Sequence, residues 1–321
     1  MSDLRVLLRL TALASLVANI GIVVTGGAVR LTGSGLGCPT WPKCTDGSLV
    51  ATREMGVHGA IEFGNRTLTF VVAFLAIAGF VLAWIVRRQW TAGPSQLRWA
   101  AVTAASIPAQ AAWGGLTVLT DLNPWIVGLH FMVSIGIIWA AFGFWQATVD
   151  GAVKETVAGE LRILVGAVVA VAVGVLVIGT MVTGSGPHAG DESAKRNGLD
   201  AAQVSQVHAD LVFLLFGLAV AAWLALRAVR ATRAGRATLV LVAVLAAQGL
   251  IGFVQYFTHL PQILVGAHML GACLVWVAVL RVWWALAPIG RRPALFEQWS
   301  AGRSLEDNLT VANAAGVRER S

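Results

Sequence analysis

Eight runs of apolar residues, at about 7–29, 62–86, 99–119, 125–148, 162–183, 204–227, 237–257 and 262–286, constrain this 321-residue chain more than any other feature. A helix needs about 20 apolar residues to cross the hydrocarbon of a bilayer. Only structures that pair their own backbone groups survive there. Each run is long enough. Hydrophobic residues make up 57% of the chain and charged residues 12%, with a mean hydropathy of +0.75, which excludes an ordinary water-soluble domain. The chain therefore reads as an all-α integral membrane protein with eight transmembrane helices. The first run is long and lacks a small-residue cleavage site, so it reads as a helix and not as a removable signal.

The formal charge of +7 is a matter of topology. Arg5, Arg9, Arg87, Arg88, Arg98, Lys154, Arg162, Arg227, Arg230, Arg233, Arg236 and the tail from Arg281 onward fall on the side of the amino terminus. The opposite side carries Arg30, Lys43, Arg53, Lys195 and Arg196, with Arg66 just inside the second helix. Basic residues stay cytoplasmic. Both termini are expected inside, and no nucleic-acid partner is implied.

The chain also repeats itself. "GIVVTGGAVRLTGSG" at 21–35 resembles "GVLVIGTMVTGSG" at 174–186, and "AQAAWGGLTVLTDLNPWIVGLHF" at 109–131 resembles "AQGLIGFVQYFTHLPQILVGAHM" at 247–269. In the second pair a glutamine precedes a histidine by 20 residues both times. This predicts two pseudo-symmetric four-helix bundles related by an axis along the membrane normal. Their expected limits are 1–150 and 162–290, joined by a cytoplasmic linker at 151–161 and followed by a polar tail at 291–321.

Between the first two runs lies "LTGSGLGCPTWPKC" at 31–44, which holds two of the three cysteines. Outside the membrane thiols can be oxidised. Five residues separate Cys38 from Cys44, and Pro39 and Pro42 bend the chain, so the pair can reach the Cα separation a disulfide needs. Such a pair serves either as a structural staple or, if exposed, as a site of electron exchange. Cys273, within the eighth run, reads as a core residue.

Three of the six histidines, His130, His208 and His268, sit at similar depth below the outer surface, and ionisable groups there are read as functional. His208 and His268 are on parallel helices of one bundle and can face each other across its interior, as bundles holding cofactors do. Two imidazoles on opposite sides of a haem iron leave no open position and suit electron transfer. Zinc or copper would instead call for a third or fourth ligand. In the first half, "VHGAIEFGNRTLTF" places Asn65 where the repeat has His208. That leaves His130 opposite a weakly ligating amide, with Glu62 on the same helix face as Asn65 and His58 two turns above. An incompletely ligated iron beside a carboxylate suits chemistry. Alternatively Glu62 and Arg66, at i and i+4, simply form an ion pair. His188 and His259 are expected in outer loops, exposed to solvent. Trp41, Trp113 and Trp125 fit an interfacial belt.

At these residues the chain resembles the haem A synthase family over about 7–286: "GAVRLTGSGLGCPTWPKC" after the first helix, "EFGNR" opening the second, "LH" in the fourth, "VHADL" in the sixth and "GAHML" in the eighth. The resemblance implies an oxidoreductase of the bacterial plasma membrane that converts haem O to haem A for cytochrome oxidase. The methyl group at ring carbon 8 is hydroxylated twice and the resulting diol loses water to leave a formyl group. It implies His208 and His268 as ligands of a resident haem b, His130 as a substrate-haem ligand, Glu62 as a catalytic glutamate, and Asn65 and Arg66 as substrate-binding. Cys38 and Cys44 match a loop pair that forms a disulfide with a role in haem transfer or electron supply. Where many members read E-x-x-H-R this chain has Asn65, so a hydrogen bond from Asn65 to water or an oxygen species, or recruitment of His58, takes the place of a second histidine. Implied partners are haem O and haem A, membrane lipid, haem O synthase, cytochrome oxidase assembly factors and a second copy in a homo-oligomer.

Two other functions fit parts of the pattern. A dihaem b-type electron-transfer subunit would hold redox-active haem in both halves and form no oxidised product. A transporter would use the glycine-rich breaks near TGSG as its binding site.

Overall fold

Apolar runs longer than a bilayer crossing become long helices, and the computed structural model contains eight: α1 Ser2–Leu31, α2 Gly56–Val86, α3 Gly93–Leu119, α4 Pro124–Thr148, α5 Gly159–Ser185, α6 Ala201–Ala228, α7 Thr232–Phe257 and α8 Gln262–Ala285. It describes residues 2–87, 93–149 and 154–287. Arg88, part of the expected linker and the tail at 291–321 lie outside the described residues.

Seven of the helices are long and apolar enough to cross a membrane. The chain is thus a multi-pass membrane protein. The exception is α3, whose 27 residues include Gln96, Arg98, Ser106, Pro108 and Gln110. In the two turns before Pro108, Ser106 Oγ donates to the Thr103 carbonyl at 2.7 Å and Thr103 Oγ1 to that of Trp99 at 2.9 Å, so both hydroxyls are satisfied within the helix.

Helix ends follow from local chemistry. Asn123 caps α4 by accepting from the Trp125 amide at 3.0 Å, with Pro124 in the first turn where no donor is needed. Asp200 caps α6 through the Gln203 amide at 2.8 Å. The ends of α3 and α7 match residue for residue. Asp121 and Leu122, like His259 and Leu260, take left-handed backbone conformations. Leu122 N–H donates to the Thr117 carbonyl at 2.8 Å and Leu260 N–H to that of Gln255 at 2.7 Å. Each closes its helix with a bond reaching back five residues.

Helix α1 packs on α2 and α4, and α3 joins α2 to α4, closing a ring of four. Helices α5 to α8 close a second ring in the same order, and α1–α8, α4–α5 and α4–α8 form the seam. Among the described residues the backbones of α2 and α4 stay apart, as do those of α6 and α8, and only side chains bridge each pair, so these two pairs lie across the interiors of their rings. The largest buried cluster fills the second ring and the seam, with Ile138, Phe142, Leu215 and Leu280 at its centre. Trp276 Nε1 crosses the seam to donate to the Ile135 carbonyl at 3.1 Å. Large apolar side chains such as Phe70 and Ile263 point outward, as they do toward lipid.

The segment at 154–158 is a joint between helices more than a linker. Glu155 pairs through its backbone with Ala285 and Ala287 at 2.8 Å each. Its carboxylate accepts from the Arg233 and Ala234 amides at 3.0 and 2.8 Å, capping the positive end of α7. Nearby Arg162 donates to the Trp283 and Leu286 carbonyls at 2.9 Å each and stacks on the Trp283 ring. On the other side of the molecule Arg30 ties the rings together through the carbonyls of His188 and Thr183 at 2.6 and 2.8 Å.

Candidate functional site

His208 lies two turns into α6 and His268 about as far into α8, and although the backbones of these helices stay apart, the two rings meet across the ring interior with centroids 6.5 Å apart. Space for each imidazole comes from a glycine on the preceding helix. A Cβ on Gly179 of α5 would come within 3.2 Å of His208 Cε1, and one on Gly252 of α7 within 3.2 Å of His268 Cε1. Nδ1 of each ring is buried without a hydrogen-bond partner among the described residues. Gln248 Nε2 fixes the turn that carries His268 by donating to its carbonyl at 2.8 Å.

The separation of the centroids is close to that of two imidazoles bound to one metal ion. Nitrogen–metal bonds of about 2 Å on opposite sides of one ion set two imidazole centroids about 6 Å apart. Among the described residues no group of three or more His, Cys, Asp and Glu converges on one point. The pair by itself comprises two candidate ligands, fewer than the three or four of a zinc site.

The same construction recurs in the first ring. His130 of α4 rests against Gly114 of α3, whose Cβ would lie 3.4 Å from its Cε1. Gln110 Nε2 donates to the His130 carbonyl at 3.1 Å, and His130 Nδ1 is again buried and unpartnered. On α2 the corresponding place is held by Asn65, beside Gly26 of α1, with a Cβ there 3.8 Å from Nδ2. Asn65 Oδ1 accepts from Thr25 Oγ1 at 2.7 Å. The four glycines are residues that the sequence reading missed. Their signal was present, since Gly26 aligns with Gly179 in "GIVVTG" and "GVLVIG", and Gly114 with Gly252 after the shared glutamine.

Glu62 is buried at 5% exposure and forms the i,i+4 ion pair with Arg66, whose Nε donates to Oε1 at 3.1 Å. It does more than pair. Its Oε2 accepts the Cys38 amide N–H at 2.6 Å. Arg66 also reaches the cysteine loop, donating to the carbonyls of Cys38 at 2.9 Å, Thr40 at 3.0 Å and Lys43 at 3.2 Å. Cys38 and Cys44 form a disulfide with Cα atoms 4.4 Å apart. Both are fully buried, which corrects the expectation of an exposed pair. Glycines at 37 and 115 let the loop lie flat on the helices: a Cβ on Gly37 would strike the His58 carbonyl, and one on Gly115 the Trp41 ring. Gly115 adjoins Gly114, so Trp41 covers α3 next to the residue on which His130 rests.

The remaining histidines are placed elsewhere. His58 Nδ1 bonds Ser34 Oγ at 2.9 Å on the outer surface. His188 is half-buried and bonds the Leu260 carbonyl at 3.0 Å, against the expectation of a solvent-exposed side chain, whereas His259 is exposed. Cys273 is a buried core thiol.

Residues 9–280 match the COX15-CtaA family of cytochrome oxidase assembly proteins. The chain is 33% identical over 117 residues to a heme A synthase of Listeria welshimeri, covering 36% of this chain and 37% of that protein. It is 30% identical over 115 residues to a heme A synthase of Geobacillus thermodenitrificans, covering 35% and 34%. With that of Lysinibacillus sphaericus it shares 33% identity over 129 residues, 40% of each chain. The aligned stretches thus span 34–40% of the relatives' lengths.

Proposed function

The chain belongs to the COX15-CtaA family, that of the haem A synthases, and from that premise we propose that it oxidises the C8 methyl group of haem O to the formyl group of haem A. The observation that carries this reading is the contrast between the rings: two imidazoles 6.5 Å apart in one, and a histidine opposed by an amide, beside a buried carboxylate, in the other.

In the second ring His208 and His268 hold a resident haem b, each seated by its glycine. A haem held by these two histidines would supply one-electron transfer. In the first ring His130 binds the substrate haem O, with Asn65 and Arg66 beside it. Glu62 accepts and releases protons as the methyl group is oxidised. Arg66 and the Cys38 amide fix the direction in which its carboxylate points. The buried disulfide holds that amide in place and, with Trp41, keeps water from the site. A dihaem electron carrier would need two imidazoles in each ring, and Asn65 does not provide one.

The rings themselves are proposed to be pseudo-symmetric four-helix bundles over 1–150 and 162–290. Supporting this are the equivalent turns closing α3 and α7, the equivalent Gln110 and Gln248 bonds, and a seam in which α1–α8 is mirrored by α5–α4. In this arrangement α3 also crosses the bilayer, both termini are cytoplasmic and the cysteine loop faces outward from a bacterial plasma membrane. Haem O synthase, cytochrome oxidase assembly factors and a second copy of the chain are the proposed protein partners.

The test is expression in a bacterial host that makes haem O but no haem A. Haem A in the extracted porphyrins, absent with Glu62→Ala, supports the reading. Unchanged haem O with a correctly inserted protein contradicts it.

A further inference from the structure

The two rings match at the glycine notches, the glutamine–histidine bonds and the helix ends, and among the places where they differ is one pair of adjoining positions. Where the second half has Ile178 and His208, the first has Thr25 and Asn65. An apolar residue accompanies the imidazole and a hydroxyl accompanies the amide. The hydroxyl is used, since Thr25 Oγ1 lies 2.7 Å from Asn65 Oδ1.

Resting on the proposed function, we infer that Thr25 and Asn65 together make the first ring a one-histidine site, leaving the position opposite His130 open to a small ligand. Two points carry this. The atom through which an amide ligates a metal is its oxygen, and that oxygen is occupied by Thr25. Asn65 sits in the notch of Gly26 that an imidazole fills at Gly179, and its side chain is shorter than the imidazole of His208, so an anchored Asn65 leaves room in front of it. His58, the other candidate, is held by Ser34 at 2.9 Å on the outer surface.

The experiment uses the purified full-length protein loaded with protohaem as the guest, reduced and exposed to carbon monoxide. The resident haem is expected to be six-coordinate, low-spin and indifferent to carbon monoxide; the guest is expected to be five-coordinate and to bind it, and to be lost in His130→Ala. Asn65→His should convert the guest to a low-spin species with carbon monoxide affinity reduced at least tenfold. Asn65→Leu should leave carbon monoxide binding intact. The unchanged spectrum of the resident haem shows in each variant that the fold persists. Two low-spin haems in the unaltered protein, neither binding carbon monoxide, overturn this inference while leaving the first ring a haem site. So does an Asn65→His protein whose guest spectrum and affinity are unaltered. Failure of any guest to bind overturns both the inference and the reading on which it rests.

Discussion

The amide N–H of Cys38 donates to Oε2 of Glu62 across 2.6 Å, so the oxidised loop outside the helices holds the one acidic side chain buried within α2. The loop and the carboxylate form a single unit, closed on its other side by Arg66.

Breaking the disulfide is therefore expected to act through Glu62. A short closed loop contributes about 2 kcal/mol of stability, and a hydrogen bond to a charged group about 1.5–3 kcal/mol. The Cys38→Ser/Cys44→Ser double variant should lower conversion of haem O about tenfold to a hundredfold while leaving the spectrum of the second-ring haem unchanged. Quantifying haem A in membranes alongside that spectrum checks both parts.

Glu62→Gln separates position from proton transfer. The amide oxygen can still accept from Cys38, so the loop should stay seated, but the group no longer takes up a proton. Conversion should be lost, with little change in thermal stability. Arg66→Ala should behave differently, because it strands a buried carboxylate; such losses cost about 3–5 kcal/mol when fully buried and less here, where Arg66 is partly exposed. A double-mutant cycle on melting temperature should show Glu62→Gln relieving much of the Arg66→Ala penalty.

The glycine notches predict position-specific intolerance. Gly252→Ala and Gly179→Ala each place a methyl group 3.2 Å from an imidazole carbon, so they should weaken retention of the second-ring haem tenfold or more. Gly249→Ala on the same helix meets nothing within 4 Å and, by helix propensity, should be neutral or stabilising by up to about 1 kcal/mol. Haem content after size-exclusion chromatography distinguishes the three.

Much of this architecture is legible in the sequence because the bilayer leaves few choices. Apolar runs of sufficient length must be helices, and duplication puts His130 and His268 at matching places. The structure extends α1 and α5 beyond those runs, to Leu31 and Ser185, since capping and loop packing, not hydropathy, decide where a helix stops. The Glu62–Cys38 bond joins residues 24 apart through an irregular loop, and no periodicity reports it. Gly26, Gly114, Gly179 and Gly252 were visible as repeated letters, but their purpose depends on which helix lies opposite. The polar segment near Glu155 reads as a linker because its use as a cap for α7 requires two helix ends remote in sequence to come together.

The central claim is that the two rings divide the work, one keeping a haem between His208 and His268 and the other presenting a second haem for reaction at His130. The most direct measurement is the absorption spectrum of the purified protein with chromatography of its extracted porphyrins, compared among the unaltered chain, His208→Ala and His130→Ala. The account predicts that His208→Ala loses haem b, whereas His130→Ala keeps it and loses haem O and haem A. Loss of the same porphyrins in both variants, or retention of haem b in His208→Ala, would contradict it.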